Sequence, residues 1–170
     1  VATEFPIVQR VIEPKLLMYL PRTHIVKLSK TPQGHLSRIM CKDGSTVDVL
    51  TNEMAQLAFE GADWDFAWED EPQHERKREA IYRGLVDRLG REVITFTPLT
   101  EPWMKDKLID NADGKKVELF TASIYDNVQD INGSPILSTE AIKDFEANIS
   151  EDFKETRIKG VFFTMRGRVY

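Results

Sequence analysis

Apolar positions at the start of the chain gather on one side of a helix. Val8, Val11 and Ile12, then Leu16, Leu17 and Leu20, recur at roughly helical spacing. Pro14 interrupts this run and is expected to open a second helical piece, where its missing N–H costs nothing; Pro21 ends it. Residues 24–28 read as a strand, and residues 35–41 and 46–51 read as a hairpin about Asp43-Gly44. Residues 64–70 read as a strand running into an acidic loop. Residues 73–89 then read as a helix, with Ile81, Leu85 and Leu89 as its apolar stripe and Gly90 placed to cap its end. Further strands are expected over residues 92–97 (stopped by Pro98), 116–124 and 161–165. A helix is expected from Ser138-Thr139-Glu140 to about residue 149, with Thr139 as N-cap. The hydrophilic stretch 106–116 is the expected mobile loop, and no internal repeat interrupts the chain.

Strand–helix–strand order over residues 64–97 predicts a βαβ unit with parallel strands, hence an α/β fold. Ligand crevices in such folds lie at the C-terminal ends of the strands. That rule sets Asp70-Glu71 and Thr95-Phe96-Thr97-Pro98 on one edge of the sheet.

Composition narrows the classes. A length of 170 residues suggests one domain with a real core, and 41% hydrophobic with 30% charged residues fits an ordinary soluble protein. No apolar run approaches the roughly 20 residues of a membrane span, and no signal peptide is evident, so membrane and secreted classes are set aside. Val1 rather than Met opens the sequence, which suggests a fragment or a processed product. Cys41 is the only cysteine, so an intrachain disulfide is excluded and a reducing cytoplasm fits. His24, His35 and His74 show no metal-ligand spacing. A net charge of −5 argues against a chain that is basic throughout and coats nucleic acid.

The charge is uneven. Glu60, Asp63, Asp65, Glu69, Asp70, Glu71 and Glu75 fall within residues 60–75, which hold no Lys or Arg. They are interleaved with Trp64, Phe66 and Trp68, which hydrophobicity expects to be buried. Lys154, Arg157, Lys159, Arg166 and Arg168 make the C-terminal end basic. A strand ending in adjacent carboxylates suits one side of a nucleotide-hydrolysing site. One carboxylate supports Mg²⁺, generally through water, and the next polarises the attacking water. The alternative is an acidic loop whose carboxylates favour the following helix N-terminus by about 0.3–1 kcal/mol. Thr95 and Thr97 on the neighbouring strand could sense a γ-phosphate, or they could be simple strand formers.

These residues resemble a known family. Trp64-Asp65-Phe66-Ala67-Trp68-Glu69-Asp70-Glu71-Pro72, followed by a helix and Thr95-Phe96-Thr97-Pro98-Leu99, is similar to the ATPase domain of the large terminase subunit of tailed phages. Upstream, Glu13-Pro14-Lys15-Leu16-Leu17, Leu20-Pro21, Asp43-Gly44-Ser45 and Phe59-Glu60-Gly61 resemble the family's run-in. Downstream, Ser123-Ile124-Tyr125-Asp126-Asn127, Arg157-Ile158-Lys159-Gly160 and Gly167-Arg168-Val169-Tyr170 resemble its Asp-Asn motif and its exit towards the nuclease domain. The resemblance implies a P-loop NTPase-like fold of the RecA/ASCE type: a mainly parallel sheet with flanking helices and a β-hairpin insertion. It makes Asp70 the Walker B aspartate supporting Mg-ATP, Glu71 the catalytic glutamate, Thr95 and Thr97 the coupling motif, and Asn127 a neighbour of the same site. Glu69 departs from the family, which has an apolar residue there.

No Gly-x-x-x-x-Gly-Lys-[Ser/Thr] occurs in the sequence; the only Gly-Lys is Gly114-Lys115, in a hydrophilic stretch. The resemblance therefore implies that residues 1–170 are the Walker B and coupling-motif part of an ATPase domain, with a P-loop segment upstream and a nuclease domain downstream. It implies ATP and Mg as cofactors. The implied partners are double-stranded DNA, the small terminase subunit and a portal or procapsid, in a homo-oligomeric ring in the host cytoplasm. The chain alone is expected to hydrolyse ATP negligibly. Arg22, Arg38 and Arg76 are candidates, by position only, for an arginine completing a neighbour's site. Two other readings stand beside this one. One is a non-catalytic binding or assembly module whose acidic loop caps a helix or docks a partner. The other is a metal-dependent nuclease, which would want acids converging from several strand ends.

Overall fold

A computed structural model describes residues 1–98 and 101–162, apart from the side chain of Asp152. The chain is mixed α/β and divides into two compact units, Val1–Phe96 and Thr97–Tyr170.

The first unit opens with the expected apolar helical run. Helix α1 (Phe5–Ile7) passes into a π-helical turn, Val8–Ile12, and then into α2 (Glu13–Tyr19). Pro14 accounts for the irregularity. It lacks the N–H that an α-helix would use there, and the wider π turn lets Glu13 N–H reach Val8 O instead. The helix stops at Tyr19, ahead of Pro21. Strands β1 (Ile25–Lys30), β2 (Leu36–Cys41) and β3 (Thr46–Asp48) form an antiparallel sheet in that order. The Asp43-Gly44 turn behaves as its sequence predicts. Gly44 takes φ +86°, and the Asp43 carboxylate accepts Ser45 N–H at 3.0 Å and Ser45 Oγ–H at 2.7 Å. Ala2, Val8, Leu36, Ile39 and Val49 form the core between the helical run and this sheet.

The βαβ unit is present: β4 (Phe66–Asp70), α3 (Glu75–Val86) and β5 (Arg91–Thr95), with β4 and β5 parallel. Among the described residues this parallel sheet has two strands and the antiparallel sheet three, so parallel pairing is not the majority. On the other side of β4, Val1 O accepts Asp70 N–H at 2.9 Å. A second core, Phe59, Ala67, Ala80, Ile81 and Leu85, fills the space under α3.

The end of α3 corrects two expectations. Leu89 is not part of the buried stripe; it is 91% exposed and takes a left-handed φ of +51°. Leu89 N–H donates to Val86 O at 3.2 Å and Gly90 N–H to Leu85 O at 2.8 Å, the two bonds that close a helix when one residue turns left-handed. Gly90 is glycine for another reason. A Cβ there would lie 2.5 Å from Trp64 O and 2.9 Å from Asp65 O.

In the second unit, the strand expected over residues 116–124 does not form. Asp113 Oδ1 accepts the N–H groups of Lys115 (2.9 Å), Lys116 (2.8 Å) and Val117 (3.4 Å), diverting the donors a strand would need. A Ser123–Asp126 capping box then winds Ile124–Asn127 into a 3₁₀ turn. The stretch expected to be a mobile loop holds a π-helical turn, Lys105–Ile109, with Lys105 paired to Asp110 at 2.7 Å. Helix α4 (Thr139–Asn148) starts one residue earlier than expected, with Ser138 as N-cap accepting Ala141 N–H at 3.0 Å. Helix α5 (Glu151–Lys159), which the apolar pattern missed, ends at a left-handed Gly160. Of the final strand expected over residues 161–165, Val161 and Phe162 are non-strand, and residues 163–165 lie outside the described residues. No helix among the described residues is long and apolar enough to cross a membrane.

Gly84 gives a sharp test of how α3 seats. Its carbonyl accepts Trp64 N–H at 2.9 Å, and a Cβ there would sit 2.2 Å from Ala62 O and 2.6 Å from Trp64 Cδ1. Gly→Ala inside a helix ordinarily stabilises by about 1 kcal/mol. Here Gly84→Ala is expected to destabilise by about 2 kcal/mol, because backbone rather than a movable side chain blocks the methyl. Urea unfolding measures it, and a gain in stability would show that α3 does not rest on residues 62–64.

Candidate functional site

Alternation along β4 sorts its side chains. Ala67 and Glu69 point to the α3 side and are buried, while Phe66, Trp68 and Asp70 point to the other face. The pairing register sets Trp68 beside Val93 and Asp70 beside Thr95. Trp64 is half-buried, but Phe66 is 57% and Trp68 39% exposed, against the expectation that all three aromatics are covered.

The structure brings three of the expected site residues together at the C-terminal edge of the parallel pair. Glu71 N–H donates to Thr95 O at 2.8 Å, extending the ladder one step past Asp70. Thr95 Oγ1 lies 3.3 Å from Asp70 Oδ1 and 3.4 Å from Glu69 O. Glu71 is held at φ +68°, a left-handed backbone uncommon outside glycine. Strand β5 stops at Thr95, so Thr97 is not a strand-tip residue as expected; it is the first residue of the second unit. Asn127 is also in the second unit, exposed at the end of its 3₁₀ turn.

The expectation that α3 begins at Gln73 is corrected: the helix starts at Glu75. His74 is the N-cap, and Glu75 supplies the acid of the first turn. Gln73 is buried and ties the loop down. Its N–H donates to Glu69 Oε2 at 3.2 Å and its Nε2 to Glu71 O at 3.2 Å. Lys77, two residues into α3, is also buried. Its ammonium donates to Asn52 O and, at 2.8 Å, to Met54 O, so this cation holds a loop. Of the candidate arginines, Arg38 forks onto Asp48, with Nη2 2.9 Å from Oδ2.

Glu69, the departure from the family pattern, is fully buried. Burial pushes its carboxyl up from 4.5 to about 7, and the neighbouring Glu92 carboxylate pushes the same way. Glu92 itself is held by Arg78 through a fork at 2.7 and 3.1 Å. The sequence signal for this buried acid was the apolar residue that the resembled family holds at this position; the aromatics at 64, 66 and 68 pointed the strand parity the other way.

The donor set suits one kind of cation site. Among the described residues no group of three or more His, Cys, Asp or Glu side chains converges, so an all-protein cage is not built. Mg²⁺ commonly takes one or two carboxylates, keeps several waters, and shares the rest of its shell with substrate phosphates. Asp70, with one carboxylate oxygen held by Thr95, fits that mode.

Two expectations follow. Because Glu69 favours its protonated form in the fold, its contribution to stability is complete below pH 4.5 and is lost as pH rises through about 7. Glu69→Gln keeps an acceptor for Gln73 N–H without the charge, so thermal unfolding at pH 5 and pH 8 should show a flatter pH dependence than wild type; an identical dependence refutes the assignment. A left-handed backbone costs an L-residue about 1–2 kcal/mol. Glu71→Gly is therefore expected to be about 1 kcal/mol more stable than Glu71→Ala, and equal stabilities would mean that Glu71 is not held left-handed.

No protein-family model, no curated protein and no solved structure matches the chain.

Proposed function

We propose that this chain is part of the ATPase domain of a viral terminase large subunit, the motor that drives double-stranded DNA into a procapsid. In this reading the fold is a P-loop NTPase-like α/β fold, and the chain supplies the hydrolysis side of the nucleotide site. The observation that carries it is the shared edge of β4 and β5. Asp70, Glu71 and Thr95 meet there through the Glu71 N–H to Thr95 O bond and the 3.3 Å approach of Thr95 Oγ1 to Asp70 Oδ1. In this reading Asp70 would help hold Mg²⁺, and Glu71 would accept a proton from the water that attacks the γ-phosphoryl group. Bound Mg-ATP supplies the phosphoryl group and the charge that offsets these carboxylates. Thr97 and Asn127 enter the reading through the family resemblance alone. The phosphates themselves need backbone N–H donors and a lysine of the kind a P-loop provides. Lys77, with its ammonium on two carbonyls, does not take that role. DNA, the small subunit, the portal, the homo-oligomeric ring and the host cytoplasm belong to the same proposal.

A second reading, a binding module, draws on the open apolar face of the parallel pair, where Phe66 and Trp68 are joined by Val93. The complete gene product separates the two. Glu71→Gln should lower ATP turnover by about 100-fold or more while leaving nucleotide binding intact, as loss of a water-activating base does. The 170-residue chain alone should show negligible turnover. Unchanged turnover in Glu71→Gln, or no nucleotide binding by the complete product, removes the ATPase reading and leaves the module.

A further inference from the structure

Thr95 has one hydroxyl proton, and the structure restricts where it goes. The indole N–H of Trp68 is a donor with no acceptor function, and Trp68 Nε1 lies 3.0 Å from Thr95 Oγ1. Trp68 and Thr95 stand on the same face of the sheet, one diagonal step apart in the register, a separation an aromatic side chain spans. Since the indole donates to the hydroxyl oxygen, the hydroxyl proton is left to donate onward. The acceptors within reach are Asp70 Oδ1 at 3.3 Å and Glu69 O at 3.4 Å, both at the tip of β4. The order of donors runs one way, from Trp68 to Thr95 to the strand tip.

We propose that Trp68 is a positioning residue for the Asp70–Glu71 half-site. It fixes the Thr95 hydroxyl so that its proton holds Asp70 Oδ1, leaving Oδ2 for the water shell of a divalent cation. Thr95 then serves the acidic strand tip as a donor and does not offer its proton to a phosphate. This assignment rests on the reading of Asp70 as the cation-supporting carboxylate.

The test uses ¹⁵N-labelled protein and, as the probe, Mg²⁺ alone and then with ATP. The chain has three tryptophans, so its indole N–H resonances are few, and Trp68→Phe assigns the one that matters. Thr95→Val keeps the side-chain shape and removes the acceptor. It should speed solvent exchange of the Trp68 indole proton about fivefold or more, as loss of a hydrogen bond does, and Thr95→Ser should restore the slow rate. Mg²⁺ affinity, followed at the backbone amides of Asp70 and Glu71, should fall about three- to tenfold in Trp68→Phe and in Thr95→Val. The double variant should lose no more than either single one, because both remove the same chain of donors. Unchanged indole exchange in Thr95→Val, or losses that add in the double variant, overturn the proposal while leaving the half-site reading in place. Wild-type amides of Asp70 and Glu71 that move neither with Mg²⁺ alone nor with Mg²⁺ and ATP together overturn the half-site reading itself, and the positioning role falls with it.

Discussion

The parity of β4 is the constraint on which the first unit depends. Side chains alternate along a regular strand such as β4, so a slip of one residue would exchange its buried and open faces. As paired, the small Ala67 lets α3 come down on the sheet, and Ile81 and Leu85 fill the space above it. The same parity carries Glu69 into the core, where a carboxyl is costly unless it finds partners. It finds Gln73 N–H, and beyond it the Glu92 carboxylate, whose own charge is met by the Arg78 fork. Asp70, one residue on, is thereby turned to the opposite face and towards Thr95.

The loop that follows is fixed from several sides. Glu71 is pinned through its N–H to Thr95 O and through its carbonyl to Gln73 Nε2. His74 N–H reaches Asn52 Oδ1 at 3.4 Å, and Lys77 draws the carbonyl of Met54 onto α3. A left-handed non-glycine residue persists where its surroundings over-determine it, and such strain concentrates at functional positions. Glu71 meets the first condition by these bonds. The turned backbone ends the strand without moving the carbonyl–amide contact to β5.

Much of this was legible in the residue pattern. The helical run with its proline break, the Asp43-Gly44 hairpin, and the strand–helix–strand order each rest on local chemistry that tertiary packing did not override. The misses have physical causes. Trp64, Phe66 and Trp68 suggested a buried aromatic face, but neighbours under α3 required the small Ala67 there, and hydrophobicity does not register that demand. Gly90 looked like a left-handed cap, yet the left turn fell on Leu89, because glycine was needed where backbone crosses Trp64 and Asp65. The strand at 116–124 failed because the Asp113 and Asp126 carboxylates claim backbone donors at its two ends, a competition that propensity scales omit. At the candidate site, Asp70, Glu71 and Thr95 could be placed on one edge from topology alone. The parts that hold them could not, because Trp68, Gln73 and Glu69 act through geometry that only the fold supplies.

Three consecutive acids at a strand tip pose an electrostatic problem that the alternation resolves. Like charges this close repel, and a carboxyl in a dry environment avoids ionisation more strongly than one in water. Burial near Glu92 holds Glu69 up at about 7, so near neutral pH a large share of it carries a proton and no charge. Protonated, it has an O–H to offer Glu92, whose remaining charge Arg78 neutralises on the same side of the sheet. The core side of the tip is thus close to neutral. Asp70 lies on the opposite face from that core, where Thr95 donates to it. An apolar residue at position 69 would relieve the core more simply. With glutamate there, the fold limits the charge on the buried side through a proton held by Glu69, and the Asp70 carboxylate stands on the other face.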